Sequence, residues 1–283
     1  MTTPSPHVVV GTDGSEGADR AVRWAAREAA LRGRTLRIVH AFIWPYLRVS
    51  TAPVPGMRGT GLRRIAEDLL LDAAAVARAA SPGVRVVTDL PVGAPIGVLL
   101  AAADDAELVV IGSDGLGRLD GLIIGSVGVG LIAGSRGPVV VVTGPVAERT
   151  DERRVVAGVG GFDHRNGPAQ ISAVLDYTFR DATRRQATVT VVHATAGREE
   201  GQDGTAIRAA VAAWSDDYPH VDVRYVADRR TPAAALVARA DGAELLVLGT
   251  HGWGGFAGLV HGSVGQDALR RAPCPVAVVH SGT

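Results

Sequence analysis

The sequence predicts two α/β domains in tandem, each built on a doubly wound, five-stranded parallel sheet. Three observations predict it. Short β-branched runs alternate with helix-period segments as βαβαβαβαβ, the pattern of a parallel sheet with helices on both faces. The pattern stops at a Gly/Pro/charged stretch and then restarts, with a repeat of roughly 130–140 residues, too long for a solenoid unit. One stretch also occurs twice with fixed spacing. Glu107 to Gly112, then Gly115 and Gly125-Ser126-Val127-Gly128, is matched by Glu244 to Gly249, then Gly252 and Gly262-Ser263-Val264-Gly265.

The elements follow in order. His7–Thr12 is apolar without polar alternation, as a strand covered on both faces reads. Asp13-Gly14-Ser15 ends it, and Ser15 is placed to cap a helix. Ala18, Ala21, Val22, Ala25, Ala26 and Ala29 recur at helical spacing up to Leu31, and Gly33 is the stop. Thr35–Ala41 is the second strand. A Pro/Gly loop runs from Phe42 to Gly61, followed by an Ala/Leu-rich helix to Ala80 and the punctuation Ser81-Pro82-Gly83. Val84–Leu90 is the third strand, Pro95–Ala103 the third helix and Ala106–Gly112 the fourth strand. A helix opens at Gly125, and Pro138–Thr143 is the fifth strand.

Gly144–Asp151 reads as a linker, giving domains over 1–147 and 148–283. In the second half, Arg153–Val159, Ala187–Ala194, His220–Val226, Ala243–Gly249 and Pro275–His280 are the strands, and Pro232–Ala240 is the third helix. The second strands end alike, in Val39-His40-Ala41 and Val192-His193-Ala194. The segment after the later one, around Gly197–Gly204, is shorter than its counterpart. A strand order of 3-2-1-4-5 with right-handed crossovers makes each domain flavodoxin-like or Rossmann-like.

Composition removes several function classes. A chain of 283 residues suits two domains of roughly 100–200 residues each. With 29 basic and 29 acidic residues, nothing favours nucleic acid or an anionic membrane as partner. Every basic residue is Arg, so a Walker-type phosphate loop, which needs Lys, cannot exist. The one cysteine, Cys274, excludes an intrachain disulfide framework and a Cys-based zinc cluster, and reads as a small buried hydrophobe. No signal-peptide pattern and no apolar run of roughly 18 residues is present, so the expected location is cytoplasmic, without membrane insertion.

In an open parallel sheet, ligands bind beyond the carboxyl ends of the strands where the strand order reverses, here between the first and fourth strands. Gly112, Gly115 and Gly125 let backbone approach a ligand closely. A helix opening at Gly125-Ser126 presents free amides and the positive end of its dipole to a phosphate, and loop amides add an anion nest. Without Lys, those amides, the Ser126 hydroxyl and Arg118 are the binding groups. A turn-rich connector with a capped helix would read the same in one copy; the duplication argues against it. Asp13, after Gly11 and Thr12, faces the same crevice, where a carboxylate can bond a ribose hydroxyl or a base amine. Its alternative is a turn-forming Asp before Gly14.

The spacing Gly-x2-Gly-x9-Gly-Ser after the fourth strand, with an Asp ending the first, resembles the ATP-binding type of universal stress protein. Two such domains resemble the tandem form found in actinobacteria, and the resemblance covers essentially the whole chain. It implies that Gly112, Gly115, Gly125, Ser126 and Val127 hold ribose and phosphates. Asp13 sits on the adenosine side, the backbone near Ala41 meets the adenine edge, and Val92-Gly93 closes the pocket. It also implies that the apolar fifth strands pair, here within one chain as a pseudo-dimer, with a homodimer as the alternative.

The implied function is an ATP-binding stress or dormancy regulator that acts through nucleotide-dependent conformation. The loop Phe42–Gly61 is the candidate surface for an unidentified protein partner. A slow ATPase and a nucleotide-free structural or chaperone-like scaffold are the alternatives. No residue pattern identifies a catalytic group or a metal-ligand cluster, and nothing separates ATP from ADP, AMP or cyclic AMP.

The second half departs from the pattern. Gly158-Val159-Gly160 aligns with Gly11-Thr12-Asp13, so glycine stands where the Asp belongs, and Asp163 is the candidate substitute. Gly249, Gly252, Gly262, Ser263 and Val264 keep the phosphate half, and Ala194 is the counterpart of Ala41. His251 lies inside the second glycine loop and is a candidate for a phosphate or ribose. The first loop carries Asp114 instead, which costs phosphate affinity unless it faces solvent or helps hold a divalent cation such as Mg2+. His40 and His193 read as structural or crevice-lining.

Overall fold

The computed structural model describes residues 6–43, 61–113, 125–143, 153–160, 167–250 and 264–281. The chain divides into two compact units, Met1–Val142 and Thr143–Thr283. The linker, most of the loop after Phe42, and Asp114, Gly115, Arg118, Asp163, His251, Gly252, Gly262 and Ser263 lie outside the described residues.

In the first unit the chain runs β1 (His7–Gly11), α1 (Glu16–Arg32), β2 (Leu36–Val39), α2 (Gly61–Ala80), β3 (Val86–Asp89), α3 (Pro95–Ala103), β4 (Ala106–Gly112), α4 (Ser126–Gly134) and β5 (Val139–Val142). All pairings are parallel, in the order β3-β2-β1-β4-β5. This is the doubly wound arrangement the sequence predicts. Val8, Val9 and Val10 of β1 are almost wholly buried, because helices cover both faces of a central strand. The helix α1 starts where Ser15 Oγ accepts the Ala18 amide at 3.1 Å, and it stops at Gly33, whose φ of 63° suits glycine.

The second unit repeats the plan. It runs β6 (Arg154–Val159), α5 (Pro168–Arg185), β7 (Thr188–Ala194), α6 (Gly201–Asp217), β8 (Val223–Asp228), α7 (Pro232–Ala240), β9 (Leu245–Gly249), α8 (Val264–Arg271) and β10 (Val276–Val279). Its sheet order is β8-β7-β6-β9-β10, again parallel.

Two details differ from the sequence reading. β8 lies further along than His220–Val226, because the Val221 amide bonds the Tyr218 carbonyl and turns the chain before the strand begins. A helix of the second unit that the sequence reading did not assign, α6, begins at Gly201 within the segment Gly197–Gly204. Gly204 tolerates the helix and makes room: a Cβ there would lie 2.5 Å from Glu200 Cβ, so its bareness admits the Glu200 side chain. Among the described residues no helix is long and apolar enough to cross a membrane.

At the amino ends of the sheets one ion network occurs twice. In the first unit Arg32 Nε donates to Glu28 Oε1 at 2.6 Å, and Arg32 Nη1 and Arg34 Nε donate to Glu107 at 2.8 and 2.7 Å. In the second, Arg185 Nε donates to Asp181 Oδ2 at 2.5 Å and Nη1 to Glu244 Oε2 at 3.2 Å. The glutamates that open the repeated stretch are thus anchors for the helix above, remote from the carboxyl edge where the glycines lie.

Candidate functional site

At the carboxyl edge of the first sheet the residues named from sequence fall into three groups. Gly11, Thr12 and Asp13 leave β1. The Thr12 amide bonds the Val39 carbonyl at 2.9 Å, and His40 donates from Nδ1 to the Thr12 carbonyl at 2.8 Å, which places a proton on Nδ1. Asp13 Oδ1 accepts the Ser15 amide at 3.0 Å, so the carboxylate shapes the turn and is held at the edge by it. Ala41 lies between His40, whose amide bonds the Asp89 carbonyl, and Phe42, which bridges to Val92. The amide and carbonyl of Ala41 meet no partner among the described residues.

The glycines have unequal reasons. A Cβ on Gly112 would overlap the Gly17 carbonyl, so this glycine lets α1 pack onto the end of β4. A Cβ on Gly11 would press on Leu99 Cδ1 at 2.9 Å, and one on Gly158 on Leu236 and Leu248 at 2.7 and 2.8 Å. Packing therefore accounts for these three positions. Gly125 is different. It is exposed, no atom of the described residues lies within 4 Å of a Cβ added there, and it caps α4 without a side-chain hydrogen bond. Ser126 is exposed beside it and Val127 is half-buried. The first amides of α4 have no partner within the helix.

Beside this edge, α3 and the β2–β3 flank enclose a cavity of about 490 Å³. Its lining includes Val39, Pro91, Val92, Gly93, Val98 and Ala102, with an Arg37–Asp89 ion pair at the rim. Of the residues named from sequence for the ligand pocket, Val92 and Gly93 line it.

The second edge is built differently. Gln170 of α5 stands where α1 has Gly17. Its Nε2 donates to the Val279 carbonyl at 3.0 Å, its Oε1 accepts from Thr250 Oγ1 at 3.3 Å, and its side chain fills the space over Gly249. Ala194 is half-buried at the end of β7, and Val264 opens α8. His193, just before Ala194, is buried. Its Nδ1 lies 3.0 Å from the Tyr225 hydroxyl, which donates to Glu200 at 3.4 Å, while Arg208 pairs with Glu200 and lies over the Tyr225 ring. Burial pushes the Tyr225 phenol up to about 12, reinforced by Glu200. Burial of Cys274 likewise lifts its thiol to about 12, which removes it as a nucleophile at neutral pH.

Burial also depresses His193 below its ordinary value, more than Glu200 and Asp203 raise it, and Arg208 adds to the depression. The folded chain then binds fewer protons here than the unfolded chain. Its contribution to stability is present above the ordinary value of 6.5 and is lost as pH falls toward the folded value. Between about pH 7.5 and 5.5, the opening free energy of β7, read from amide exchange corrected for the intrinsic rate at each pH, should fall by at most about 1.4 kcal/mol per pH unit for one proton. In His193→Gln that acid-induced change should be gone; an unaltered pH response would place its origin elsewhere.

Asp228, which ends β8, was not evident as a site residue from sequence. It is 5% exposed. Its Oδ1 accepts the Arg230 amide at 3.1 Å, its Oδ2 accepts Arg239 Nε at 3.2 Å, and Arg230 Nε lies 3.5 Å from Oδ1. Burial would raise this carboxyl, but the amide and the two guanidiniums together hold it below the ordinary value. The signal available in sequence was the triplet Asp228-Arg229-Arg230, standing where the first half has Pro91-Val92-Gly93.

Comparison with known proteins matches this arrangement at the level of family and fold. A family model described as the universal stress protein family matches residues 5–143 and again 153–280. The universal stress protein Rv2623 of Mycobacterium tuberculosis is 32% identical over 290 aligned residues, covering 96% of this chain and 95% of that protein. The crystal structure of a universal stress protein from Archaeoglobus fulgidus covers 98% of this chain and 97% of its own, with a TM-score of 0.74 at 19% identity, a likeness of fold. A universal stress protein solved in complex with cAMP is 32% identical over 47% of this chain and 93% of its own, with a TM-score of 0.36.

Proposed function

The chain belongs to the universal stress protein family, and from that premise we propose that the carboxyl edge of its first unit binds an adenine nucleotide, ATP foremost. The observation that carries this reading is the open start of α4. Among the described residues nothing crowds Gly125, and α4 begins at the same carboxyl edge where Asp13 is held. Phosphates lie on the Gly125–Val127 amides and the Ser126 hydroxyl, with Gly115 and Arg118 completing the loop side. Asp13 takes the ribose or base amine, and the unpartnered amide and carbonyl of Ala41 read the adenine edge. Bound nucleotide acts by favouring one of two conformations of the chain, the basis of a stress or dormancy regulator that signals to a protein partner. A Mg2+ ion accompanies the phosphates and offsets Asp114.

Calorimetric titration of ATP into the whole chain tests the reading. Saturable binding tighter than about 1 mM, worth at least about 4 kcal/mol, is the expected result. No saturation up to that concentration would sink it.

A further inference from the structure

The two units place different chemistry at one topological position. With Pro95 aligned to Pro232 and Gly112 to Gly249, no gap intervenes, and Pro91, Gly93 and Ala102 correspond to Asp228, Arg230 and Arg239. In the first unit all three positions line the cavity beside α3 without contributing a charge. In the second they form the carboxylate–arginine cluster at the end of β8. The first unit folds without these charges, so the fold does not require them.

The cluster has the construction of an anion receptor. Asp228 is inside at 5% exposure, while the Arg230 and Arg239 side chains are 50% and 41% exposed at the rim. Asp228 engages only the Nε of each guanidinium, so the outward Nη groups of both meet no acceptor among the described residues. Two guanidiniums against one carboxylate leave an excess positive charge. Next to them, α7 begins with Pro232 after Thr231, which makes no side-chain cap bond, so its first amides add donors. Arg229 is occupied with the Gly197 carbonyl at 3.4 Å and holds the adjacent loop.

We infer that the second unit carries a phosphate-binding site formed by Arg230, Arg239 and the start of α7, with buried Asp228 fixing both guanidiniums. A planar guanidinium held at Nε offers its paired Nη hydrogens in the fork geometry that phosphate oxygens accept. The ligand is free inorganic phosphate or the phosphoryl end of a nucleotide. The inference does not rest on the nucleotide reading of the first unit.

Titration of inorganic phosphate into the full chain, followed by 31P line broadening, is the test. Saturable binding is expected, weakened about tenfold or more in Arg239→Gln and in Arg230→Gln, and less in Arg239→Lys, which keeps charge but loses the fork. Thermal melts of each variant separate lost binding from lost folding. Arg63→Gln, at an exposed position of α2 in the first unit, should leave phosphate binding unchanged. Competition by ATP, but not by adenosine, would identify a nucleotide's phosphoryl end as the source; phosphate binding that ATP leaves intact would identify the free ion. Absence of saturation, or saturation indifferent to both Gln variants, overturns the inference.

Discussion

Arg185→Leu is expected to destabilise the second unit by about 3–5 kcal/mol, the cost of leaving a buried carboxylate without its partner. Asp181 is wholly buried, and Arg185 meets it at 2.5 Å while also reaching Glu244. The leucine removes the guanidinium but leaves the Asp181 charge in an environment that cannot solvate it. The double variant Asp181→Leu/Arg185→Leu should recover much of the loss, because two apolar groups replace a pair that was costly to desolvate. Arg63→Leu is the contrast. Its partner Glu67 and Arg63 itself are 51% and 57% exposed, so that change should stay within about 0.5 kcal/mol. Urea unfolding of the four proteins checks the order. Equal losses in Arg185→Leu and Arg63→Leu would contradict the assignment of the network as a buried anchor.

Asp13→Ala should weaken ATP affinity about 10- to 100-fold, the range for a hydrogen bond to a charged group. The alanine also removes the acceptor of the Ser15 amide, so the turn leading into α1 loosens. Asp13→Asn separates the two effects. Its Oδ1 still accepts from Ser15, and only the charge is lost. Affinity in Asn near wild type would assign Asp13 to shaping the edge; affinity as poor as in Ala would assign it to the ligand. Wild-type affinity in both variants would remove Asp13 from the site. Calorimetric titration of the three proteins provides the comparison.

The strand order and the tandem plan were legible in the sequence because parallel strands buried on both faces write unbroken apolar runs. The glycine spacing marked the repeat, yet it could not say why each glycine is there. Gly112 answers to the Gly17 backbone and Gly11 to Leu99, while Gly125 is crowded by nothing among the described residues. Those reasons depend on which helix lies across which strand, and spacing along the chain carries no record of that contact. Gln170 and Arg239 were missed for a related cause. Each sits in an otherwise ordinary helix, and each acquires its role through a carbonyl or carboxylate distant in sequence, Val279 for one and Asp228 for the other. The repeated Glu107 and Glu244 belonged to the stretch that first pointed to a ligand, but they serve the opposite end of the sheet.

Diffraction from crystals of the whole chain grown with ATP tests the central claim most directly. The account predicts nucleotide density at the first unit's carboxyl edge, with phosphates on the Gly125 and Ser126 amides and the adenosine end beside Asp13 and Ala41. Density elsewhere, or an empty first edge at saturating ATP, would contradict it.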